Sequence, residues 1–149
     1  MPAAGTISGV DEREAHVLVV AHRTAATPRL LAEVRRRSQA GACRFTLLVP
    51  RPYWDPDTEE AELVVELAVP LLEAAAGTCI DAVVGDADPL EAVRELLATT
   101  DVDELILSTL PQRVSHWLRR DVPARLRALG IPVTVVTAEQ SARALGDRS

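Results

Sequence analysis

Asp103 to Thr137 reads D-E-L-I-L-S-T-L-P-Q-R-V-S-H-W-L-R-R-D-V-P-A-R-L-R-A-L-G-I-P-V-T-V-V-T. An apolar run, Leu105 to Leu107, ends in two hydroxyls, Ser108 and Thr109. Pro111 then opens a helical pattern that Gly130 closes, ahead of Pro132 and a second β-rich run, Val133 to Val136. The stretch is a strand, a crossover and a strand. Within the crossover Val114, Trp117 and Leu118 make one apolar face and Val122, Leu126 and Leu129 another, so two short helices are expected, with a corner at Arg119, Arg120 and Asp121. In parallel α/β sheets ligands bind off the carboxyl ends of strands, where helix N-termini and short loops offer backbone N–H groups to anions. A ligand is therefore expected at Ser108 and Thr109. From Ser108 to Thr137 the chain carries five arginines and one acid, Asp121, although its net charge is -6.

Outward from this unit the same alternation repeats. Met1 to Glu14, rich in small and acidic residues, reads as a loose leader, and one domain is expected over 15–149. Val17 to Ala21 is a continuous apolar run, as in a strand buried on both faces, and it ends in His22, Arg23 and Thr24. Thr27 before Pro28 starts a helix with Leu30, Leu31 and Val34 inward and Arg35, Arg36 and Arg37 outward; Gly41 ends it. Cys43 to Val49 is the second strand, and the loop Pro50 to Asp57 holds Tyr53 and Trp54, read as cover for a core edge. Asp55 before Pro56 is read as the cap of the next helix, whose apolar stripe is Leu63, Leu67 and Leu71. Ile80 to Val84 is the third strand. Asp88, with Pro89 at the first helical position and Glu91 three residues on, caps a helix that runs to Ala98. Five strands alternating with four crossovers make an α/β fold: a doubly wound parallel sheet with helices on both faces.

Composition excludes several kinds of chemistry. Every one of the 16 basic residues is arginine and there is no lysine, which rules out a Walker-type phosphate loop and a Schiff-base lysine. Phe45, Tyr53, Trp54 and Trp117 are the only aromatics, too few for base stacking on a platform. The acidic balance argues against nucleic-acid binding. Charge is segregated, with fifteen acids and one arginine from Asp55 to Glu104 and seven arginines and one glutamate from Arg23 to Arg51, read as solvated helix faces. Cys43 and Cys79 form neither a metal signature nor a disulfide framework and are expected as free thiols. No signal peptide and no run of membrane-span length is visible, so a cytoplasmic location without a membrane partner is expected. No pair of histidines has metal-ligand spacing, and Ser108 lacks a nucleophile elbow.

Over His16 to Thr137 the chain resembles the universal stress protein family. Val17 to Thr24, V-L-V-V-A-H-R-T, is similar to the family's opening strand, which runs into Asp-Gly-Ser; Gly85 to Val93, G-D-A-D-P-L-E-A-V, is similar to its Gly-x-Pro-x-x-Ala-Ile turn with one inserted residue. Leu105 to Thr109 resembles the strand ending in Gly-Thr or Gly-Ser, and Pro132 to Val136 the closing Pro-Val-x-Val-Val strand. The resemblance implies a strand order of 3-2-1-4-5. It also implies adenosine near the ends of strands 1 and 2 and a triphosphate in a loop Gly-x-x-Gly-x(9)-Gly-Ser/Thr after strand 4. Carried over residue by residue, the strand 1 aspartate becomes His22, the nearby serine Thr24, the strand 2 end Val49 and the turn glycine Gly85. Ser108 stands at the strand-end glycine, Pro111 at the next, and Arg119 with Arg120 at the Gly-Ser.

With the loop glycines replaced, side-chain forks of arginine are left to bind phosphate in place of close backbone approach. Ser108, Thr109, Arg119 and Arg120 are expected to form a shallow anion-binding corner with His22 and Thr24 opposite, taking phosphate, AMP or ATP weakly and with strong dependence on salt. The first function class is thus a small stress module binding a nucleotide or simple anion, and the second a scaffold of the same fold that binds none. A hydrolase built on His22 is the third; no second catalytic group is visible. Val133 to Thr137 is expected to be an edge strand. The resemblance implies a homodimer through it, with Ala138 to Ser149 folding over that edge as the alternative.

Overall fold

The computed structural model describes residues 14–52, 55, 58–110, 117 and 120–138. Met1 to Arg13, Tyr53, Trp54, Pro56, Pro111, Val114, His116, Leu118, Arg119 and the tail beyond Ala138 lie outside the described residues. In chain order the elements are β1 (Ala15–Val20), α1 (Pro28–Ala40), β2 (Cys43–Pro50), α2 (Glu60–Ala76), β3 (Asp81–Gly85), α3 (Pro89–Leu97), β4 (Glu104–Thr109), α4 (Val122–Arg127) and β5 (Val133–Thr137). The five strands form one sheet in the order β3-β2-β1-β4-β5, and every pairing is parallel. This is the α/β architecture and the strand order expected from the sequence.

β1 lies at the centre because its side chains from Val17 on are apolar and the one polar side chain, His16, is hydrogen-bonded to Thr46 and the Asp101 carbonyl. Val17, Leu18, Val19, Val20 and Ala21 are buried, and the strand pairs with β2 on one side and β4 on the other. Alternation of side chains along a strand divides the core into two halves. Val17, Val19 and Ala21 join Phe45, Leu47, Val49 and Ile106 beneath α1 and α2, while Leu18 and Val20 join Leu48, Leu105 and Leu107 beneath α3 and α4. The sheet is therefore covered on both faces. Among the described residues, no helix is long and apolar enough to cross a membrane.

Three local expectations are corrected. α2 begins at Glu60, not after Asp55: the Asp55 carbonyl accepts the Thr58 N–H in a turn, and Glu59 holds the N-cap position without a side-chain cap bond. The inward face of α2 is Ala61, Ala68, Leu72 and Ala75, whereas Leu63, Leu67 and Leu71 are 55%, 73% and 49% exposed. Small side chains let the helix backbone approach the sheet closely, and this contact outweighed the larger but laterally placed leucines. The third strand starts at Asp81, just past the position expected for its first residue.

α1 and α3 start where their prolines indicate. Asp88 caps α3 by accepting the Leu90 N–H at 3.0 Å. Thr27 holds the N-cap position of α1, yet its hydroxyl donates to the Thr24 carbonyl at 3.2 Å instead of capping. Arg37, read as an outward residue, folds down to make a two-pronged contact with Glu104 of β4 at 2.8 and 2.7 Å, which ties α1 to the sheet. Of the two short helices expected in the last crossover, the second is α4. Asp121 sits at its N-cap position with φ 60, in the left-handed region, and makes no side-chain cap bond.

Candidate functional site: a cleft at the carboxyl edge of the sheet

The residues singled out in the sequence gather at the carboxyl edge, but they divide into three groups with different surroundings. The first is a hydroxyl pair. Thr24, in the turn after β1, places Oγ1 2.6 Å from Oγ of Ser108 near the end of β4, and Ser108 Oγ lies 3.3 Å from the Thr24 carbonyl. If Ser108 donates to that carbonyl, Thr24 must donate to Ser108, so both protons are used within the pair. Both residues are buried, and Thr109, also buried, donates its hydroxyl to the Leu110 carbonyl at 2.9 Å. These hydroxyls bind the turn after β1 to the end of β4. Val49 is wholly buried in the core.

The second group is centred on His22. Its Nε2 lies 3.7 Å from Oε2 of Glu60, and Nε of Arg23 lies 3.8 Å from the same oxygen. Burial pushes the His22 pKa down; Glu60 pulls it up by less, and Arg23 adds to the lowering. The imidazole is neutral near pH 7. Glu60 is the acid that reading the sequence missed. It depends on where α2 begins, and the misplaced cap at Asp55 hid it.

The third group lines a cleft of about 250 Å³ between the β3–α3 turn and α4. One wall is Asp86, Ala87, Asp88, Pro89 and Leu90; the other is Trp117, Arg120, Val122 and Arg125. Gly85 sets the first wall. A Cβ there would stand 2.8 Å from Cβ of Ala92 and 2.9 Å from Cδ1 of Leu48, so glycine lets α3 lie against β2 and fixes where its N-terminus emerges. Asp86 Oδ1 accepts the Asp88 N–H at 2.9 Å, which shapes the turn. Across the cleft the Arg120 and Arg125 guanidiniums make no hydrogen bond or ion pair among the described residues. Arg120 is thus grouped with the β3–α3 turn. Among the described residues the lining includes none of His22, Thr24, Ser108 and Thr109. No group of three or more metal-ligating side chains occurs among the described residues.

The fold has solved relatives in shape. A universal stress protein from Archaeoglobus fulgidus superposes with a TM-score of 0.60 at 13% identity, over 82% of this chain and 93% of that one. The chain has the universal stress protein fold. A universal stress protein solved in complex with cAMP matches with a TM-score of 0.54 at 21% identity, over 85% of this chain and 98% of its own. The Archaeoglobus fulgidus protein in complex with dAMP matches with a TM-score of 0.55 at 13% identity, over the same shares. No protein-family model matches the sequence, and no curated protein matches it either. The universal stress protein fold is thus retained here at an identity where shape, and not sequence, carries the likeness.

Proposed function

We propose that this protein is a small-ligand binding module that takes a nucleotide or simple phosphate anion weakly at the carboxyl edge of its sheet. Arg120 and Arg125 hold the phosphate, and Pro89, Leu90, Trp117 and Val122 line the apolar part of the cleft. The observation that carries this reading is the pair of guanidiniums that face one cleft in an acidic protein and have no partner among the described residues. Such forks bind phosphate oxygens in pairs. Solved proteins of this fold in complex with cAMP and with dAMP support a nucleotide as the ligand class. Asp86 and Asp88 on the opposite wall repel added phosphate charge, so a monophosphate suits the cleft better than ATP. Arg119 belongs to the same reading through its place beside Arg120.

The test is calorimetric titration of AMP, ATP and inorganic phosphate into wild type and the Arg120→Ala, Arg125→Ala double variant. Binding to wild type that weakens about tenfold or more in the variant, and falls with added salt, is the expected result. Binding unchanged by the substitutions overturns the assignment.

The second reading, a scaffold that binds no nucleotide, draws on a specific observation. Thr24 and Ser108 satisfy each other and Val49 is buried, so three positions carried over from the nucleotide-binding members present no free polar group. In either reading β5, which pairs only with β4 among the described residues, is the surface for a homodimer, and the setting is cytoplasmic.

A further inference from the structure

Leu63, Leu67 and Leu71 recur at i, i+4 and i+8 on α2, the three most exposed of the large apolar side chains among the described residues. They form one continuous stripe of a helix. Its two flanks differ in charge. Glu62 and Glu66 stand about 100° round the helix from the stripe, on the side of β3. That side is identified by Arg51, which holds Glu62 at 2.7 Å and whose N–H donates to the Gly85 carbonyl at the end of β3. α2 packs over β2 and β3, whereas α1 packs toward β2 and β5, so α1 flanks the stripe on the other side, where Arg35 is exposed. Arg36 is held by Glu33 at 2.6 Å. Arg35 and Glu66 make no side-chain hydrogen bond or ion pair among the described residues.

We infer that this face docks a second copy of the chain, leucine stripe against leucine stripe, with Arg35 of each protomer opposite Glu66 of its partner. A stable interface needs about 800 Å² from each side, more than three leucines present, so the charged flanks must be included. That requirement selects the occupant. A two-fold axis along α2 exchanges the flanks, laying the basic flank of α1 over the acidic flank of the partner's α2, and the surface is thereby complementary to itself. A crossing with the axis perpendicular to α2 would set arginine on arginine and glutamate on glutamate, and is disfavoured. The face lies at the β3 side of the sheet, away from β5, so it is independent of any contact made through that edge.

The experiment is sedimentation equilibrium of the full chain at low and moderate salt. It compares wild type and Val135→Lys, which removes any contact through β5, with Leu67→Glu, Glu66→Arg, Arg35→Glu, and Glu66→Arg combined with Arg35→Glu, each in the Val135→Lys background. Leu67 is exposed, so its substitution leaves the fold intact, which circular dichroism checks. Self-association that Leu67→Glu weakens about tenfold or more, that each single charge reversal weakens, and that the double reversal restores is the expected result. The association must survive Val135→Lys. A wild-type monomer at high micromolar concentration, association lost in Val135→Lys, or a double reversal no better than the singles would overturn the inference.

Discussion

Gly85, Asp88 and the Thr24–Ser108 pair show how single residues build the carboxyl edge. At Gly85 an added methyl meets Ala92 and Leu48 within 3 Å, so Gly85→Ala must push α3 away from β2. It is expected to cost about 1–3 kcal/mol in denaturant unfolding. Ser108→Ala leaves the buried Thr24 hydroxyl without its partner and is expected to cost about 1–3 kcal/mol. Adding Thr24→Val to that variant should cost less than the sum of the two single changes, which a double-mutant cycle measures. His22 gives a pH signature. Its folded pKa is depressed below the ordinary 6.5, so its contribution to stability is present above the unfolded value and is lost as pH falls through the folded one. Stability should therefore decline as pH drops below about 6.5, and His22→Gln should flatten that part of the profile. At this scale the sequence was partly legible. The hydroxyls and the histidine could be placed at strand ends from pattern alone. That Thr24 and Ser108 spend their protons on each other, and that Glu60 stands by His22, depends on contacts between distant segments, which local pattern does not encode.

Among the elements, the strands and the proline-started helices were readable because continuous apolar runs and Asp-Pro or Thr-Pro starts are local signals. α2 was not. Its seventeen residues are apolar on several sides, so periodicity admitted more than one inward face, and the choice was made by which side chains allow close packing on the sheet. The contact of Arg37 with Glu104 also crosses elements. Arg37 holds the Glu104 carboxyl below the usual carboxylate range, mainly through their hydrogen bonds. The stability from this pair is present above the unfolded pKa of glutamate and lost as pH falls through the lower folded value. Glu104→Gln is expected to cost about 0.5–1 kcal/mol at pH 7 and less as falling pH protonates the carboxyl, read from urea unfolding at each pH. The modest figure reflects partial exposure of the carboxylate.

For the molecule as a whole, the order β3-β2-β1-β4-β5 brings the ends of the central strands, the start of α3 and the start of α4 to one edge. The sheet order was expected from the resemblance and agrees with the topology. The partition of that edge into a buried hydroxyl pair, a histidine–glutamate contact and an arginine-lined cleft was not, because it depends on where Arg120 lies relative to a turn on a different crossover. On the proposed reading the cleft between the β3–α3 turn and α4 is where a phosphate-bearing ligand binds. The most direct measurement is a titration of AMP into isotopically labelled protein, followed by amide chemical shifts. The largest shifts are expected on Asp86 to Leu90 and on Arg120 to Arg125, and they should vanish in the Arg120→Ala, Arg125→Ala variant. Shifts centred instead on Arg23, Thr24 and Val49, or none at millimolar AMP, would contradict it.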